Sequence, residues 1–112
     1  MTESKNHKLC KMKCKSKLAG THDCKSEVPN YKDGLGLFDL QCPSIDDKKW
    51  KSCVVECEVN SSKLQKQENF KQGMAWQNLD LDNRVFFQIT HPSELNVNKL
   101  KKNPNHRWKE GL

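Results

Sequence analysis

Six cysteines carry most of the chemistry open to this chain, and their order is unusual. "LCKMKCKSKLAGTHDC", residues 9–24, holds Cys10, Cys14 and Cys24. "QCPSIDDKKWKSCVVEC", residues 41–57, holds Cys42, Cys53 and Cys57. The first trio is spaced Cys-x3-Cys-x9-Cys and the second Cys-x10-Cys-x3-Cys, nearly a mirror image. Thiols can act as nucleophiles, hold a metal or pair as disulfides. A redox nucleophile would sit in a CxxC beside a βαβ pattern, and the chain shows none, nor a Ser/His/Asp order that reads as a triad. Structural zinc favours closely spaced pairs around a knuckle. Two CxxxC pairs and a lone His22-x-Cys24 permit such a site but leave the mirror order unexplained. A copper donor would call for adjacent thiols or Met and His clusters, and Met12 between Cys10 and Cys14 offers little. Disulfides are the use that exploits the mirror. No catalysis, metal or cofactor is expected.

The elements that must position these sulfurs follow from the spacing. On a helix at ~100° per residue, Cys10, Cys14 and Cys24 fall within an arc of ~80°. Cys42, Cys53 and Cys57 fall within ~60° on a second helix. Placed antiparallel, the two stripes match: Cys14 to Cys24 rises ~15 Å and Cys42 to Cys53 ~16.5 Å, with outer steps of ~6 Å on each. Six cysteines allow 15 pairings, and the matched rungs favour the nested set Cys10–Cys57, Cys14–Cys53 and Cys24–Cys42. "PSIDD" gives the second helix a start, with Ser44 as N-cap and Asp47 three residues on, so it runs from about 44 to 58. The first helix is poorer in apolar residues, and Gly20 weakens its last turn. Between them, "KSEVPNYKDGLGLFDLQ" reads as a loop, long for a hairpin of helices.

Composition agrees with a stapled fold. The chain has 112 residues, of which 34% are hydrophobic and 30% charged, so its core is thin and cross-links must help hold it. The net charge of +6 is concentrated at the ends, with +5 over residues 1–25, +4 over 96–112 and −3 between. Basic ends suit an acidic protein surface or an anionic lipid surface. Nucleic acid is not expected, since "HRWK" is the only stretch that interleaves basic and aromatic groups. "MTESKNHKLC" is too polar for a secretory leader, and no apolar run is long enough to span a bilayer.

Cys14-x9-Cys24 followed by Cys42-x10-Cys53 resembles the twin CX9C, or coiled-coil-helix–coiled-coil-helix, proteins. The resemblance covers residues 10–57 and implies a small helical hairpin clamped by disulfides in the mitochondrial intermembrane space, as an accessory subunit or an assembly or copper-handling factor. The added Cys10 and Cys57 and the long loop depart from that pattern. Cys10-x3-Cys14 and Cys53-x3-Cys57 also look like the CX3C pairs of α-hairpinins, which are secreted inhibitors and toxins, and of the small Tim chaperones.

The second half supplies no catalytic signature. "SSKLQKQENFKQGMAWQNL" predicts a helix over 62–77 capped by Ser61 or Ser62, and "NRVFFQIT" predicts a strand. Within a helical fold that strand has no partner, so it must pair with the Tyr31–Phe38 loop or with another polypeptide. "HPSELNVNKLKKNPNHRWKEGL" reads as an extended, polar tail. The expected fold is therefore mainly α: an antiparallel helical hairpin over 1–60, and an extension over 61–112 made of a helix, a short strand and a basic tail. The expected function is a non-catalytic accessory subunit on the intermembrane-space side of a large mitochondrial assembly, peripheral to the inner membrane and most naturally in a respiratory-chain complex. Val85, Phe86, Phe87, Ile89, Lys99, Lys101, Lys102, Arg107 and Trp108 would contact the other subunits. A secreted cysteine-rich effector is the alternative.

Overall fold

The computed structural model describes residues 4–26, 38–59 and 61–102. In chain order these form helix α1 (Lys5–Leu18), strands β1 (Lys25–Ser26), β2 (Leu40–Cys42) and β3 (Ser52–Cys57), helix α2 (Lys63–Asn78), strand β4 (Arg84–Ile89) and two 3-10 turns, Pro92–Glu94 and Val97–Leu100. The strands make one sheet in the order β1-β2-β3-β4. The first three are antiparallel neighbours, and β4 runs parallel to β3. The expected helical hairpin is thus overturned: this is an α/β fold in which two helices cover a mixed sheet.

The second predicted helix is where the reading fails. Ser44 and Asp47 do not open a helix. Asp46 closes a single turn instead, its carbonyl accepting from the Lys49 and Trp50 amides and its carboxylate from the Lys48 amide. The chain then extends as "SCVVEC". Adjacent β-branched residues favour a strand, and Cys53 through Cys57 are all buried, as in a strand covered on both faces. The first helix exists but is shorter than its cysteine spacing suggested. Ser4 caps it by accepting from the His7 amide, and it ends at Leu18. Cys24 lies beyond it, because residues 21–23 run alongside residues 43–45: Asp23 N–H donates to the Pro43 carbonyl and Ile45 N–H to that of Thr21. The ends of the predicted long loop pair as β1 and β2.

α2 matches its prediction closely, with Ser62 as N-cap accepting from the Gln65 amide. β4 also lies where "NRVFFQIT" placed it, but its partner is β3 of the same chain, through the register Cys53↔Val85 to Cys57↔Ile89. A βαβ unit supplies internally the pairing expected from the Tyr31–Phe38 loop or from another polypeptide.

The sheet separates two cores. On one face α1 and the 3-10 turns enclose Cys10, Cys14, Leu18, Leu40, Cys42, Cys53, Val55, Cys57, Phe87, Ile89, Leu95 and Leu100. On the other, Trp76 of α2 packs with Phe38 and Val54, and Phe86 packs against them. The segment after β4 is no loose tail as far as residue 102. Leu95 and Leu100 are buried, Lys17 Nζ donates to the carbonyls of Pro92 and Leu95, and Lys51 N–H donates to that of Leu100. His91 and Asn96 start its two turns by accepting backbone N–H groups, which short polar side chains and imidazoles do well.

Candidate functional site: a sulfur layer and a basic groove

The six cysteines gather on the α1 face of the sheet and fall into two groups of three. All are free thiols in the structure. In the first group, Cys10 and Cys14 stand one turn apart on α1 and meet Cys57 at the end of β3. The three sulfurs lie within 4.8 Å of one another, and all three residues are buried. The Cys57 thiol hydrogen-bonds to both helical cysteines; the contact with Cys14, then burial, hold it well above the ordinary thiol range. The same contact with Cys57 draws Cys14 downward, and burial pushes Cys10 upward. Cys14 itself is 0% exposed.

In the second group Cys42 of β2 sits between Cys24, just ahead of β1, and Cys53, its cross-strand partner on β3. Hydrogen bonding to Cys42, then burial, raise the Cys24 thiol. Cys42 also ends up raised: its contact with Cys24 lowers it, but that with Cys53 and burial outweigh this. Cys24 is the half-exposed member of the layer. Of the nested pairs read from the sequence, Cys10 with Cys57 and Cys24 with Cys42 are in direct contact. Cys14 and Cys53 share the same core.

A buried polar chain borders the first group. Asp39 Oδ2 accepts the Cys57 amide at 2.8 Å and lies 3.1 Å from His7 Nε2. Glu56 Oε1 accepts the Asp39 amide. Burial, then the nearby Asp39 carboxylate, push Glu56 up to about 9, so it is a neutral acid at physiological pH. Glu58 is buried too, its Oε1 accepting from Asn69 and Gln88. Sequence reasoning missed these three acids. For Glu56 and Glu58 the signal was an acid at alternate positions of an otherwise apolar run, "VVECEV"; Asp39, in "LFDLQ", had none. His22, considered as a ligand beside Cys24, is structural. Its Nε2–H donates to the Lys51 carbonyl at 2.7 Å, leaving Nδ1 to accept from Thr21, and burial lowers its pKa.

The residues expected to bind a partner are distributed differently. Phe87 and Ile89 are core, and Val85 and Phe86 are half-buried against it. Lys99 and Lys101 are exposed and Lys102 half-exposed. Arg107 and Trp108 lie outside the described residues. The surface the sequence did not point to is beside β4. Ser52 N–H donates to Asn83 O and Glu58 N–H to Ile89 O, which sets the odd-numbered residues of β4 toward β3. Arg84, Phe86 and Gln88 therefore turn their backbone groups outward. The Phe86 N–H is taken by Gln77 Oε1, which blunts this edge in part. Alongside runs a groove of about 570 Å³ lined by Lys63, Lys66, Gln67, Phe70, Lys71 and Gln88. Its helical residues form one stripe of α2 at i, i+3, i+4, i+7 and i+8. No described helix is long and apolar enough to cross a membrane.

No family model matches the chain, and no curated protein and no solved structure matches it either.

Proposed function

We propose that this protein is a non-catalytic accessory subunit that docks an acidic protein segment along the outer side of β4. The observation that carries this is the groove beside that strand. Three lysines and a half-exposed phenylalanine line it together with Gln88 of the outer strand, whose alternate backbone groups point away from the sheet. Such an edge can add a further strand, with main-chain hydrogen bonds for affinity and flanking side chains for selectivity. Lysines select acidic partners and speed encounter, in keeping with a net charge of +6. A non-catalytic role is supported by the full burial of Cys14.

The compartment we propose is one that oxidises thiols, the mitochondrial intermembrane space or the secretory route. Half-exposed Cys24 is in contact with buried Cys42, so an oxidant can reach the pair through Cys24. A respiratory-chain partner was implied by the helical hairpin and loses that support with it; the docking role does not depend on the hairpin.

A photo-crosslinker placed at Phe70 in the full chain tests the reading, with Met12 on the α1 face as the control position. Phe70 should capture an acid-rich protein in extracts of the native cells, and the yield should fall with salt and with Lys63, Lys66 and Lys71 changed together to Glu. Equal capture from Met12, or capture unaffected by the charge reversal, would remove the basis for the proposal.

A further inference from the structure

Cys10 and Cys14 lie one helical turn apart, and Cys57 reaches the same point from the end of β3. We propose that these three thiols form a binding site for a single soft, thiophilic d10 cation. The sulfurs are already gathered, within 4.8 Å of one another, so little reorganisation stands between this arrangement and a shared ion. Thiolate sulfur selects copper(I) and zinc(II) over the hard cations. Among the described residues no imidazole or carboxylate joins the group. An all-sulfur trio satisfies copper(I) by itself, whereas zinc(II) would complete its shell with water.

Two features support the site from outside. The first is orientation: the Cys57 amide is fixed by Asp39 Oδ2 at 2.8 Å, and Asp39 in turn lies 3.1 Å from His7 Nε2. Outer partners of this kind hold ligands in place. The second is access. A groove of about 270 Å³ bordered by Asn6, Leu9, Lys13, Thr90 and His91 reaches Cys10 from the surface. Binding replaces S–H bonds by S–metal bonds and releases the thiol protons to solvent, so affinity must rise with pH. No oxidant or reductant is needed.

The second group of cysteines serves as the internal control. Anaerobic full-length protein, fully reduced, is titrated separately with copper(I) and zinc(II), and thiols are then alkylated and mapped. The expected result is one equivalent of at least one ion, a sulfur-to-metal charge-transfer band, and protection of Cys10, Cys14 and Cys57 while Cys24 remains alkylated. Cys57→Ser should weaken binding by about tenfold or more. Cys53→Ser, equally buried on the same strand, should leave it unchanged and guards against loss of fold. Three results would each overturn the site: no stoichiometric binding of either ion, protection centred on Cys24, Cys42 and Cys53, or a Cys57 disulfide that persists in the native protein under conditions where Cys24 is reduced.

Discussion

Gly73 looks like a weakness of α2 and is the reason α2 can lie where it does. A Cβ built on it would collide with three carbons of the Phe86 ring. Changing Gly73→Ala sets two effects against each other. In an open helix the substitution would stabilise by about 1 kcal/mol. Here the methyl must displace a ring or lift the helix, and overpacking of this kind costs about 1–3 kcal/mol. If the ring swings out, it also leaves its edge-on contact with Phe70, now 6.3 Å between centroids, worth about 0.5–1.5 kcal/mol. The sum is a loss of about 0.5–3.5 kcal/mol, read as a lower urea midpoint at unchanged slope. In a Phe86→Leu background the collision is relieved, so the same Gly73→Ala should cost less or become favourable. A plain gain in stability from Gly73→Ala in the unmodified chain would show that α2 does not pack on β4 through this residue, and the groove beside them would have to be redrawn.

The other expectations concern cross-links, pH and the segment after β4. Non-reducing peptide mapping of protein oxidised under mild conditions should give Cys24–Cys42 first, and breaking it should cost about 3 kcal/mol for a loop of this size; a dominant Cys42–Cys53 peptide would contradict the geometry. Glu56 is protonated in the fold up to about 9 but ionises near 4.5 when exposed, so the native state holds the extra proton between those values. Stability should fall as pH rises through that window and level off above it. With Asp39 and Glu58 as its acidic neighbours and His7 on Asp39, Glu56→Gln should remove most of this slope. An identical slope in the variant would assign it elsewhere. Leu100→Ala should cost about 2–5 kcal/mol as a core truncation, against almost nothing if residues 91–102 were a loose tail.

Much of the second half was legible because its signals are local. A serine pair, Ser61 and Ser62, before a long helical run marks a helix start to within one residue, and the β-branched and aromatic "RVFF" marks a strand. "SCVVEC" admits two. A spacing of four keeps Cys53 and Cys57 on one side of a helix, and being even it also keeps them on one side of a strand. Periodicity could not separate the two, and the Ser44–Asp47 pattern tipped the reading toward the helix. Paired β-branched residues at Val54 and Val55 were the stronger local evidence. The docked 3-10 turns were hidden for another reason. Leu95, Val97 and Leu100 are too few to show a period, and only the core they enter reveals what they do.

The same ambiguity explains why six sulfurs form two groups rather than three rungs. Four residues of helix advance ~6 Å, but four residues of strand advance ~13 Å. Cys10 and Cys14 therefore cannot each face its own cysteine on β3. Both meet the near one, Cys57, and Cys53 is carried a further strand step away, to its cross-strand partner Cys42 and through it to Cys24. A set of three leaves one sulfur over whenever two pair. If each group forms one disulfide, two thiols remain, and the nearest route to a third bond is Cys14 with Cys53 across the shared core. If the first group instead holds a cation, all three of its sulfurs are used at once and the second group alone supplies the cross-link. The mirror spacing thus has a physical reading that the hairpin did not provide: it gathers every cysteine into one layer, buried except at Cys24, and the difference between helical and strand rise divides that layer into a group suited to an ion and a group suited to a bond.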